Sequence, residues 1–131
     1  MARQVLVTKA IEDAIRRTPY GTSDGLRGAA KVIARYFNPY GGGTWYVLEG
    51  AHGEGEEWDG DRVYGFVTRV ETPEYGELSL EDFKKVRVKV TMMGVTQELP
   101  LERDIGVEPF EKTLGECLDM YGEEKPSWWG R

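Results

Sequence analysis

Residues 30–49 constrain this chain more than any other stretch. Ala30, Val32, Ala34 and Tyr36 alternate with Lys31, Ile33, Arg35 and Phe37, so the two sets fall on opposite faces of an extended strand. Asn38-Pro39-Tyr40-Gly41-Gly42-Gly43 follows. Proline fixes its own φ and glycine supplies positive φ, so this is a turn by chemistry. Thr44-Trp45-Tyr46-Val47-Leu48-Glu49 is rich in β-branched and aromatic residues and reads as the returning strand. A chain built around such a β-hairpin makes a sheet and not a helical bundle. The 17 glycines among 131 residues agree, because they imply many turns between short strands.

The rest of the chain supplies helices and further strands. Thr8 is placed to cap a helix whose Ala10, Ile11, Ala14 and Ile15 share a face, with Arg16 and Arg17 at its end and Pro19 as its stop. Residues 18–28 read as a loop. Arg62 to Glu71 alternates as a third strand, and Ser79 to Val86 is a short capped helix. Arg87 to Met92 is a fourth strand and Thr96 to Leu101 a fifth, held at an edge by Pro100. Pro109 opens a final helix with Phe110, Leu114, Cys117, Leu118 and Tyr121 as its apolar stripe. Gly122 ends it, and residues 123–131 read as an extended tail. The expected fold is α+β: a twisted, mostly antiparallel sheet of four to five strands, with the N- and C-terminal helices packed on one face. Length and the lack of a linker or repeat predict one domain over residues 1–131.

Charge and cysteine usage narrow the function classes. The net charge is −6, with seven Lys and Arg against three Asp and Glu in residues 1–40, and ten against twenty thereafter. This balance argues against generic nucleic-acid binding, which needs clustered cations for phosphates. Cys117 is the one cysteine, so no internal disulfide forms, and a reducing cytoplasmic compartment is expected. No apolar run approaches a membrane span and no secretory signal begins the chain, so no membrane partner is expected.

Five segments, in order, carry a resemblance. They are Leu6-Val7-Thr8-Lys9; Ala34-Arg35-Tyr36-Phe37-Asn38-Pro39 with Gly43-Thr44-Trp45-Tyr46-Val47-Leu48-Glu49-Gly50; Tyr64-Gly65-Phe66-Val67; Glu74-Tyr75-Gly76-Glu77-Leu78-Ser79-Leu80-Glu81-Asp82-Phe83; and Leu99-Pro100-Leu101-Glu102-Arg103-Asp104. Together they resemble the bacterial and phage family known as domain of unknown function 2958. Val88 to Gln97 reads as an insertion relative to that pattern, and the Trp128-Trp129 tail as an addition. The resemblance implies no reaction. It implies a passenger of phages and mobile elements, with a role in the conflict with host defence.

Few residues read as chemistry. His52 is the one histidine, which excludes His-pair zinc motifs and leaves a lone base or a solvated loop residue. Glu54, Glu56, Glu57, Asp59 and Asp61 could supply oxygen ligands, but the spacing of a calcium loop is missing. Gly41-Gly42-Gly43 lacks the Gly-Lys-Ser/Thr ending of a phosphate loop. Cys117 sits on an apolar stripe, as a structural thiol would. No catalytic residue, metal ligand or cofactor is expected.

The candidate ligand-binding residues are Arg35, Trp45, Tyr46, Glu49, Glu102, Arg103 and Asp104. An aromatic hairpin beside Arg35 offers stacking and charge to a nucleotide, or else packs as ordinary sheet. Arg103, between Glu102 and Asp104, reads as a clamp on carboxylate or phosphate, or as a bridge to Glu49 or Glu71. Three functions follow as expectations. The first is a non-enzymatic anti-defence factor sequestering a phosphorylated or nucleotide-like ligand. The second is a hydrolase with paired carboxylates among Glu49, Glu102 and Asp104. The third is an acidic inhibitor that presents residues 50–61 to a host defence protein. Trp128-Trp129 leaves homo-oligomerisation open.

Overall fold

A computed structural model describes residues 5–51, 57–68, 73–126 and 129. Helix α1 (Lys9–Arg16) is capped by Thr8, whose hydroxyl accepts from the Ile11 amide. Strands β1 (Ala34–Phe37) and β2 (Thr44–Gly50) form the expected hairpin. Its turn closes by Asn38 donating from its amide to the Gly43 carbonyl at 3.0 Å, with Gly43 at φ +112°. β3 (Arg62–Thr68) and β4 (Glu74–Ser79) follow, then α2 (Leu80–Lys85), capped by Ser79. β5 (Arg87–Met92) and β6 (Val95–Pro100) pair with each other. The two-residue β7 (Glu102–Arg103) and α3 (Leu114–Met120) complete the order.

The main sheet is five-stranded and antiparallel, in the order β4-β3-β2-β1-β7, and β5-β6 is a separate two-stranded ribbon. The α+β class and the antiparallel five-stranded sheet are as the sequence predicts. The membership differs. The expected fourth and fifth strands make the ribbon, while β4 and β7 take their places in the sheet. The rest of the third strand expected to Glu71 lies outside the described residues.

The helices also sit differently from the expectation of one shared face. Ile11, Ala14 and Ile15 of α1 pack with Ala34, Tyr36, Val47 and Val63, and with Leu80 and Phe83 of α2. Leu114, Cys117 and Leu118 of α3 pack with Tyr46, Leu48 and Phe66. Alternation along each strand makes these opposite faces of one sheet. Both faces carry apolar residues, so each needs a cover, and the two terminal helices supply one each.

The last helix starts later than Pro109 predicts. Thr113 and Glu116 form a capping box, each side chain accepting from the other's amide, and this fixes the first turn at Leu114. Phe110 adopts φ +65°, outside any helix, and packs against the α1 side of the sheet. The segment after Gly122 folds back onto the body: Glu123 and Pro126 are buried, and Trp129 lies 5.7 Å from Phe66 between ring centres.

Candidate functional site

The edge of the sheet at β1 and β7 carries most of the candidate residues. Register places Arg35 opposite Tyr46 on the α3 face, and β7 adds Glu102 opposite Phe37. The Asp104 amide, just past β7, donates to the Arg35 carbonyl at 2.8 Å. This brings the Asp104 side chain beneath the same guanidinium.

Arg35 is the hub. Its side chain is 6% exposed, and its three nitrogens reach three partners. Nε donates to the Tyr46 hydroxyl at 3.0 Å, Nη1 to Asp104 at 3.1 Å and Nη2 to Glu123 at 3.2 Å. The Tyr46 hydroxyl donates to Glu123, and the Tyr121 hydroxyl to Asp104. The guanidinium carbon also lies 3.7 Å from the Tyr121 ring centre and 5.2 Å from that of Phe37. Burial works against a charged guanidinium. The hydrogen bond to Tyr46 and the Glu123 and Asp104 carboxylates outweigh it, so Arg35 holds its proton more tightly than a free arginine. Burial, then the Glu123 bond, raises the Tyr46 phenol far above its ordinary range. Burial, then Asp104, pushes Tyr121 up to about 12. Both tyrosines are neutral donors across the physiological range.

Above this cluster lies an open cleft of about 780 Å³. Phe37, Ile105 and Tyr121 give it apolar walls; Arg35, Glu102, Arg103 and Asp104 give it polar groups. Asn38, Pro39 and Gly41 of the hairpin turn form one rim.

The structure divides the seven candidates. Arg35, Tyr46 and Asp104 meet directly, and Glu102 joins them at the cleft. Arg103 lines the cleft edge, but register sets it opposite Tyr36 on the α1 face, where its Nε donates to the Val5 carbonyl at 2.8 Å. Trp45 shares that face and packs 5.7 Å from Phe83, so it cannot form a stacking platform with Arg35. Glu49 is elsewhere. It is 2% exposed and accepts from the Gly21 amide at 2.9 Å, the Ser23 amide at 2.6 Å and the Ser23 hydroxyl. It anchors the loop of residues 18–28 and takes no part in the cleft, so it does not pair there with Glu102 or Asp104.

Two members of the cluster were not legible as such. Tyr121 lay on the expected helix stripe, which marked it as apolar packing. Glu123 fell in the expected tail, where no periodicity marks a buried acid. A carboxylate directly after the helix-ending Gly122 was the available signal.

The other motifs find structural uses. Asp59 pairs with Arg62 at 2.8 Å, and that bond lowers its pKa. Asp61 accepts from the Ser79 hydroxyl and the Glu81 amide, both at 2.9 Å, at the start of α2. Burial pushes the Cys117 thiol up to about 11. His52, Glu54, Glu56, Glu71 and Trp128 lie outside the described residues. Among the described residues, no group of three or more His, Cys, Asp or Glu is placed to hold a metal, and no helix is long and apolar enough to cross a membrane.

No curated protein and no solved structure matches the chain. A family model does, over residues 6–119, and its description is a protein of unknown function. That span takes in α1, the whole sheet, the ribbon and nearly all of α3, and the chain belongs to the DUF2958 family.

Proposed function

We propose that this chain is a non-enzymatic binding protein that seats a nucleoside or nucleotide-like small molecule in the cleft at the β1–β7 edge. One observation carries the reading: two aromatic rings, Phe37 and Tyr121, converge with Glu102, Arg103 and Asp104 on a single depression of about 780 Å³. Small-molecule sites have this size and this mixture of apolar walls with a few polar groups. A nucleobase has a flat face for a ring and an edge carrying both donors and acceptors. Carboxylates and a guanidinium side by side match such an edge better than they match a bare polyanion.

Arg35 is not the anion clamp in this reading. Its donors are engaged by Tyr46, Asp104 and Glu123, and releasing Asp104 would leave a carboxylate uncompensated. Arg103 lines the edge of the cleft with its Nε already on the Val5 carbonyl, and in this reading it meets a phosphate from that edge. The wider role, a phage or mobile-element factor that counters host defence by sequestering its ligand, is carried by the family resemblance.

Calorimetric titration of the whole chain with adenosine, guanosine and their mono- and triphosphates tests the reading. Binding should occur and should weaken by about tenfold in Phe37→Ala, in keeping with ~1–3 kcal/mol for an aromatic stacked on a base. Arg103→Ala should weaken the phosphorylated ligands more than the nucleosides. Absence of binding by all of them to the wild type would remove the proposal.

A further inference from the structure

We propose a second, separate site: a one-ring saccharide slot on the tyrosine face of β3 and β4, walled by the loop of residues 23–27. The slot is an open depression of about 310 Å³ lined by Ser23, Asp24, Gly25, Arg27, Tyr64 and Tyr75. It lies toward the β4 edge of the sheet, away from the β7 edge that carries the cleft, and it shares no lining residue with it.

Two features show that the slot is built. The first is its floor. Tyr64 and Tyr75 are nearly parallel, 7° between planes and 6.0 Å between centres, and both are half-buried. Tyr20 meets Tyr64 edge-on at 5.7 Å, fixed by its hydroxyl on Glu77 at 2.9 Å. Phe66 supports Tyr75 from the core at 5.0 Å. The second is its wall. A surface loop needs no buried charge, yet Glu49 is buried beneath this one and binds Gly21 and Ser23. Burying a carboxylate is costly, and here the expense fixes the loop's position. Arg27 is held at φ +51°, a strained value for a side-chain-bearing residue, and its Nη1 donates to the Trp129 carbonyl.

The polar groups select the ligand. Ser23 lines the slot with both its donors engaged by Glu49, so its hydroxyl can offer a ligand only an acceptor. Asp24 adds a carboxylate. Such a rim wants a ligand with several donors, and sugar hydroxyls supply them while a nucleobase supplies few. Burial, then the Glu49 and Asp24 carboxylates, raises the Tyr64 phenol, and two carboxylates beside the slot disfavour an anion. Arg27 opposes an ammonium. A neutral ring with one apolar C–H face and hydroxyls around its edge satisfies all of these groups. The volume holds one such ring.

The test labels the whole chain with 3-fluorotyrosine and titrates it with the methyl glycosides of glucose, mannose and N-acetylglucosamine at tens of millimolar. The ¹⁹F resonances of Tyr64 and Tyr75 should move with at least one of them, and those of Tyr36 should not. Asp24→Ala, an exposed change that spares the core, should weaken binding about tenfold by loss of a charged acceptor. Phe37→Ala, in the other cleft, should leave it unchanged. Silence of Tyr64 and Tyr75 toward all three glycosides overturns the proposal, and so does movement with adenosine in place of the sugars.

Discussion

The Tyr121 ring covers the Arg35 guanidinium at 3.7 Å, and its hydroxyl binds the same Asp104 oxygen that Arg35 does. One aromatic side chain therefore shields the cation and shares its counter-ion. The cluster has one guanidinium against two carboxylates, and its stability depends on every member being present.

Removing Arg35 should be among the most destabilising changes in the chain. Arg35→Ala leaves Asp104 and Glu123 without their cation and should cost about 3–5 kcal/mol. Arg35→Lys should rescue little, because a point charge cannot serve Tyr46, Asp104 and Glu123 from three separate nitrogens. Urea unfolding of both variants checks this, and a well-tolerated Lys would show that only the charge matters.

Glu49 should behave as a loop anchor. Glu49→Ala strips the acceptors from Gly21 and Ser23 and should cost about 2–3 kcal/mol. Limited proteolysis should then cut first within residues 18–28. Glu49→Gln should fall short of full rescue, since its amide N–H₂ would face other donors.

Stability should fall on the alkaline side. Cys117 titrates near 9.0 when free and at about 11 in the fold, chiefly through burial. Tyr121 moves from 10.0 to about 12, through burial and then its bond to Asp104. Both pKa values are raised, so the native state keeps these protons after the unfolded chain has lost them. The contribution is complete below pH 9 and is lost as pH rises from 9 to 12. Unfolding free energies across that range should decline, and Cys117→Ala should flatten the part between pH 9 and 11. In the native state, Cys117 should resist thiol reagents at pH 8.

Two glycines give a sharp contrast. A Cβ at Gly65 would fall well inside van der Waals contact of the Tyr46 carbonyl, in the centre of the sheet. Gly65→Ala should cost about 3 kcal/mol. At Gly76, its partner across the β3–β4 pair, a Cβ meets nothing within 4 Å, and Gly76→Ala should be near neutral. Thermal melts of the two variants compare the same substitution in one register row.

Local chemistry was legible in most places where the deciding contacts are near in sequence, the Thr113–Glu116 capping box being an exception. Thr8 and Ser79 cap the helices expected of them, and the 30–49 hairpin was readable down to its turn. The strand itself begins only at Ala34, because Arg27–Ala29 is a 3-10 turn and Lys31 bridges to Thr113. What alternation could not show is which neighbour a strand chooses. Thr96–Leu101 alternates well enough for a sheet, yet β6 pairs only with β5, and β7 reaches β1 with two residues. The candidate site divided for the same reason. Arg35 and Tyr46 were both candidates because they lie on one aromatic hairpin, and the register then places them on one face. Trp45 was grouped with them because it belongs to the same hairpin, and Arg103 through the Glu102-Arg103-Asp104 triplet; pleating turns both toward the other face, and Arg103 meets the cleft only at its edge. Glu123 depends on contacts 77 and 88 residues away, which local pattern does not reveal.

Those long separations shape how the molecule assembles. The hairpins of the sheet join neighbours in sequence and close short loops quickly. The Arg35 bonds to Asp104 and Glu123 span 69 and 88 residues, so they form only once both ends of the chain have arrived. The floor of the cleft therefore exists only when the segment that follows α3 is docked on the sheet. A molecule held there binds only the finished fold, and its occupancy would raise the melting temperature of the entire chain.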